Sequence, residues 1–211
     1  MIEAFKSLCE QAISIWLSGG WAMMALAVNA LVLFGLGMHI LLKLVEKGFL
    51  FLPETVWRRW IDHPQERRGQ IGEILAYVTS GLSLKQTLDF FQELRTTEIV
   101  PFERDLRVMQ VCVGAAPLLG LLGTVTGMLT TFGALASGSG GEKTMALVAE
   151  GISEALITTE TGLVIALPGL FFQYQLSRMH DQYKSFLTHL ETVCTQKIYK
   201  ESKKQNIVLN R

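Results

Sequence analysis

The sequence predicts an all-α integral membrane protein with three transmembrane helices, the second and third extended into the cytoplasm as a helical bundle. Three observations carry this. Residues 21–42, 111–136 and 147–172 are long apolar runs with few or no charges in a chain of 211 residues. Mean hydropathy is +0.32, and those runs account for it. The lysines and arginines are gathered into two of the segments that flank the runs. At about 1.5 Å per residue the first run spans about 33 Å, enough to cross hydrocarbon some 30 Å thick.

Residues 1–18 come first. Phe5, Leu8, Cys9, Ala12, Ile13 and Trp16 share one helical face, and Gly19 and Gly20 interrupt the pattern. This predicts an interfacial amphipathic helix on the outer surface. The first span, 19–44, carries Asn29 and His39 as its strongly polar residues and ends in lysine and glutamate rather than small residues. It reads as a retained anchor, not a cleaved signal.

Residues 45–107 form a long loop; the stretch from Lys43 to Arg107 carries ten lysines and arginines, and the tail from Arg178 carries seven more. The segment before the first span holds only Lys6, and the link 137–146 holds only Lys143. The positive-inside rule then places the N-terminus and the link 137–146 outside, and the loop and C-terminus on the cytoplasmic side. Within the loop, helix is expected from about Gln65. Leu82, Leu84, Leu88, Phe91 and Leu94 suggest an amphipathic helix, and Pro101 suits the first position of the next one. The remaining elements are a second span at 108–136, a third at 147–173 and a cytoplasmic helix and tail at 174–211. In that tail Leu176, Met179, Tyr183, Phe186, Leu190 and Val193 predict a heptad seam, with an amphipathic helix packed on the loop as an equal alternative.

Net charge is zero, which argues against nucleic-acid binding. Cys9, Cys112 and Cys194 fall in three different compartments and lack metal spacing. No phosphate-binding loop, metal-protease motif or nucleophile–base pair is visible, so neither cofactor nor catalytic residue is expected.

The chemistry lies in the second and third spans. Gly120, Gly123 and Gly127 follow helical spacing with Ala116, Thr124, Thr131 and Ala134, a small-residue face suited to close helix packing. In the third span Glu150, Glu154, Thr158 and Thr161 share one side, while Thr159 and Glu160 point elsewhere. Thr124, Thr159 and Glu160 lie near mid-span, with Glu154 about 8 Å toward the outside. A carboxylate at that depth costs about 2.5–3.5 kcal/mol on the lenient insertion scale, so it marks a functional site. Glu150 falls at the interface, where a solvated carboxylate is cheap. Two polar sides on one helix call for neighbouring protein or water on both, hence an oligomer in the lipid bilayer.

The run 116–128, APLLGLLGTVTGM, resembles the second span of the ExbB/TolQ/MotA proton-channel family. The stretches 151–159, GISEALITT, and Gly162-Leu163-Val164 with Pro168 resemble its third. The three-span layout is more like ExbB or TolQ than the four-span MotA, and the short outer link looks more like ExbB. The resemblance implies a homopentamer around a pore, ExbD-like single-span helices inside it, and a TonB-like transducer using the proton motive force for outer-membrane transport. The alternatives are a TolQ-like subunit for envelope integrity and cell division, and a membrane scaffold that conducts nothing. It also implies that Thr124, Glu154 and Thr159 line the proton path. Glu160 stands where many members have a small apolar residue, so it is read as either a second proton site or a subunit contact.

Overall fold

The computed structural model describes residues 16, 19–48, 53–80, 84–137 and 141–209. Every regular element among them is helical: α1 (Gly20–Glu46), α2 (Glu54–Asp62), α3 (Gly69–Thr79), α4 (Leu84–Leu94), α5 (Val100–Ala136) and α6 (Glu142–Leu209). A short 3-10 turn, Pro64–Glu66, follows α2, and a π turn, Arg95–Ile99, joins α4 to α5. Three stretches are long and apolar enough to cross a membrane: α1, the run through α5, and α6 to Lys200. The expected interfacial helix at 1–18, Trp16 apart, and the tip of the outer link at 138–140 lie outside the described residues.

The chain divides into two compact units. The first comprises Met1–Gly37 and Arg107–Gln173. Its core takes Leu26 and Leu33 from α1, Val113 and Ala116 from α5, and Ala155 and Ala166 from α6. Gly169 brings the α6 backbone against Leu33 and Val113, and Gly37 brings α1 against Phe172 and Met109. Asn29 is polar within a span, and its Nδ2 donates to the Cys112 carbonyl at 2.9 Å. A bond of this kind between membrane helices contributes about 0.6–2 kcal/mol. Leu31, Leu118, Leu129, Leu167 and Phe171 are among the large apolar side chains left on the outside. That arrangement suits lipid or partner helices and is foreign to a water-soluble surface.

The second unit comprises Met38–Leu106 and Tyr174–Arg211. Here α6 buries Leu176, His180, Tyr183, Leu187, Leu190 and Cys194. They meet a layer from the loop that includes Trp57, Trp60, Leu75, Val78, Phe91, Leu94, Ile99 and Phe102. Trp57 stands edge-on to Phe186 at 5.9 Å and to His189 at 5.4 Å. Ion pairs tie the rim: Arg95 to Glu191 at 2.6 Å, Lys184 to Glu103 at 2.9 Å, and the half-buried Lys47–Glu98 pair. The Arg59–Glu66 pair is solvent-exposed and contributes little.

Four sequence expectations in this unit need correction. Helix starts at Glu54, well before Gln65, because Trp57, Trp60 and Ile61 give α2 a buried stripe. In α4 the buried residues are Thr87, Phe91 and Leu94, while Leu84 and Leu88 are exposed. Leu88 lies one position off the face that reaches the core, and Leu84 shares that face but is the first residue of the helix. The α6 seam keeps Leu176, Tyr183 and Leu190, but its other positions are His180, Leu187 and Cys194. Met179, Phe186 and Val193 flank that seam at intermediate exposure. The seam packs on a broad layer of short helices, so apolar residues occur on both sides of it and composition does not pick the centre line. Finally, Pro101 is the second residue of α5, and the chain does not break before it. Proline lacks an N–H and its ring crowds the carbonyl four residues back. The π turn immediately ahead widens the helix where that clash would fall.

His180 gives this unit a pH dependence. It is 3% exposed, its Nε2 has no partner, and its ring lies 6.1 Å from that of Phe102. Burial lowers its proton affinity from the usual 6.5, and Lys184 lowers it further. Glu103, Asp181 and the Ile99 backbone partly oppose that. A base whose folded-state affinity is lowered stabilises the fold above its unfolded pKa and loses that contribution as pH falls below about 6.5. Thermal unfolding in detergent is expected to drop between pH 7.5 and 5.5 (roughly one unit either side of the free imidazole). In His180→Leu that drop is expected to shrink, while an identical drop would assign it to other groups.

Candidate functional site

The site is built on the contact between α5 and α6 in the first unit. Gly120, Gly123 and Gly127 are buried on α5 and face Gly151, Ala155, Thr158 and Gly162 of α6. A Cβ on Gly120 would lie 2.9 Å from the Thr158 carbonyl and 3.0 Å from the Thr159 Cα. One on Gly127 would lie 2.6 Å from the Gly151 carbonyl, and one on Gly162 would lie 2.7 Å from the Ala116 carbonyl. At Gly123 the added atom would overlap the Thr158 side chain. The two backbones are therefore in direct contact over about three turns. Lipid tails are as apolar as leucine, so small residues that bring backbones together do what hydrophobic burial does in water.

Close approach places polar atoms at one level. The Gly120 carbonyl accepts from the Thr159 hydroxyl at 3.1 Å and, more weakly, from the Thr158 hydroxyl at 3.5 Å. Thr158 is fully buried, and its one hydroxyl proton is shared with the Ala155 and Glu154 carbonyls at 3.0 and 3.1 Å. About three turns outward from Gly120, Thr131 donates to the Gly127 carbonyl at 3.0 Å and packs on Gly151. Thr124 stands off this seam at intermediate exposure, its hydroxyl donating to Leu121 at 2.7 Å.

The carboxylates separate. Glu154 is half-buried, its carboxyl beside Gly20 at the start of α1. Glu160 and Glu150 are exposed. Glu160 shares the outer side of α6 with Leu156, Leu163, Val164 and Leu167. The structure thus brings Gly120, Gly123, Gly127 and Thr159 together, leaves Thr124 beside them, and puts Glu154 and Glu160 on different sides.

Sequence reading had not singled out Thr158, Gly151 or Gly162 as members of the contact, nor Gly20 as the neighbour of Glu154. A signal for the first three was present: Gly151, Ala155, Thr158 and Gly162 repeat at spacings of four, three and four, the mate of the glycine pattern on α5. Nothing local signals Gly20.

The model of the MotA/TolQ/ExbB proton channel family matches residues 72–189. Similar proteins include the putative biopolymer transport protein ExbB-like 1 of Synechocystis, 41% identical over 86 residues, covering 40% of this chain and 34% of that one. The Tol-Pal system protein TolQ of Haemophilus influenzae is 30% identical over 114 residues, 52% of this chain and 49% of that one. The biopolymer transport protein ExbB of Salmonella typhimurium is 38% identical over 76 residues, 36% and 30% of the respective chains. The chain spans about a third to a half of the length of these relatives.

Proposed function

Because the chain belongs to the MotA/TolQ/ExbB proton channel family, we propose that it is the proton-channel subunit of an ExbB-type motor in the bacterial inner membrane. It uses the proton motive force to energise TonB-dependent transport across the outer membrane. The observation that carries the reading is Glu154 on α6, one turn from the Thr158–Thr159–Gly120 belt, inside the matched segment. A scaffold has no use for a carboxylate in a span, whereas a proton path needs a group that takes up and releases protons. In this reading Thr124, Glu154 and Thr159 border the path. The working form is a homopentamer, with ExbD-like single-span helices in its pore, a TonB-like transducer outside, and the N-terminus in the periplasm.

A Tol-type role in envelope integrity is the second reading, favoured by the match to the Haemophilus TolQ, which covers more of this chain than either ExbB relative described above. The test is expression, together with the single-span protein encoded beside it, in a strain lacking its own ExbB-type and TolQ-type subunits. Restored TonB-dependent uptake, abolished by a protonophore, is the expected result. Restored detergent resistance without uptake would assign the Tol role. Restoration of neither would overturn the motor reading.

Glu160 is proposed as a subunit contact. It sits exposed among leucines and valine, where lipid is the worst neighbour for a carboxyl. Glu160→Gln keeps the hydrogen-bonding shape and is expected to assemble and retain most transport. Glu160→Leu is expected to loosen the oligomer on native mass measurement in mild detergent. Loss of transport by an intact Glu160→Gln oligomer would instead make Glu160 a second proton site.

A further inference from the structure

The carboxyl of Glu154 occupies the space that a side chain on Gly20 would fill. A Cβ built on Gly20 overlaps Oε1 and lies 2.8 Å from Cδ and 3.5 Å from Cγ of Glu154. Among the described glycines, no other has a carboxyl as its nearest neighbour. Gly20 also has φ +61°, a left-handed conformation that glycine adopts freely and most L-residues do not. Its neighbour Gly19 differs on both counts: a Cβ there meets the Met23 side chain, Cε at 2.9 Å and Cβ at 3.3 Å, and no carboxyl.

The place matters as well as the space. Gly20 is the first residue of α1. The first N–H groups of a helix have no acceptor within it, so the exposed start of α1 offers polar backbone beside the half-buried carboxyl. A carboxyl in a membrane span needs polar surroundings. Glu160, six residues along the same helix, has no such neighbour and lies exposed.

We propose that Gly20 is a positioning residue for Glu154: the bare backbone at the start of α1 receives the carboxyl and thereby sets where α6 takes up and releases its proton. The proposal rests on the proton-channel reading above. It makes α1, which lies outside the segment that the family model matches, a working part of the site rather than only an anchor.

The test uses dicyclohexylcarbodiimide, which modifies carboxyls in apolar surroundings, on the assembled full-length protein. Labelling of Glu154 and Glu160 is followed by mass spectrometry, with Glu160 as the internal reference. Gly20→Ala and Gly20→Asn are expected to change the labelling rate at Glu154 by about tenfold, mid-range for residues in direct contact, and to leave Glu160 unaltered. Asparagine tolerates the left-handed backbone, so its effect isolates the added Cβ from backbone strain. Gly19→Ala is expected to change neither rate. Gly20→Ala should also lower transport, and Glu154→Asp, one methylene shorter, should restore part of it in that background. Unchanged Glu154 labelling in both Gly20 variants, or an equal change at Glu160, overturns the proposal. Full transport by Glu154→Gln would defeat the channel reading instead, and the labelling would still decide the Gly20 contact.

Discussion

Glu154→Ala and Glu154→Gln are expected to abolish gradient-driven transport while the oligomer stays assembled. The two substitutions remove the same function by different routes. Alanine deletes the carboxyl. Glutamine keeps its size and hydrogen-bonding shape and deletes only the titration. One proton crossing a potential of 100 mV releases about 2.3 kcal/mol, comparable to the cost of holding one carboxylate in a span, so the gradient is sufficient to drive its cycle of charge. The subunit fold should survive because the α5–α6 contact is made by Gly120, Gly127, Gly151, Ala155 and Gly162, not by the Glu154 side chain. The effect should reach the background of uninduced cells. Thr124→Val and Thr159→Val are expected to weaken transport without abolishing it, since each removes one hydroxyl at nearly constant size. The Thr159 change also takes a donor from the Gly120 carbonyl. Full transport by an assembled Glu154→Ala protein would reduce Glu154 to packing.

The second large effect is expected at Gly127. Gly127→Leu must place a branched side chain where a Cβ alone would lie 2.6 Å from the Gly151 carbonyl and 2.9 Å from the Ala155 backbone nitrogen. Those are backbone atoms and have no rotamer with which to yield. Overpacking commonly costs about 1–3 kcal/mol when side chains can give way, and here the helices themselves must part. Loss of the folded protein from the membrane fraction, or a large fall in melting temperature in detergent, is the expected outcome. Gly114→Ala and Gly133→Ala, on the same helix but with open space around them, are expected to be neutral. A Gly127→Leu protein as stable as Gly133→Ala would show that the α5–α6 contact is looser than described. Both predictions concern α6, but they separate cleanly: one removes activity from an intact assembly, the other removes the assembly.

How far the molecule is legible in its sequence depends on the distance over which each feature is decided. The three apolar runs, the helical character of the described residues and the small faces at Gly120–Gly127 follow from residues close together in sequence, because hydrocarbon admits only segments that satisfy their own backbone. The placement of Thr158 was half legible: the matching four–three–four pattern on α6 is there, but two patterns do not state that they meet. Tertiary structure chose which of several apolar lines on α6 is buried, exchanging Met179 for His180 and Val193 for Cys194. It also left Leu84 and Leu88 of α4 exposed. Composition could not decide these cases, since neighbouring lines are almost equally apolar and the choice rests on the shape of the layer opposite. The sequence by itself determined that Glu154 would stand in a membrane span as a group needing a partner. Only the tertiary structure set that carboxyl beside Gly20, because no local rule connects a carboxyl on α6 with the missing side chain that opens α1.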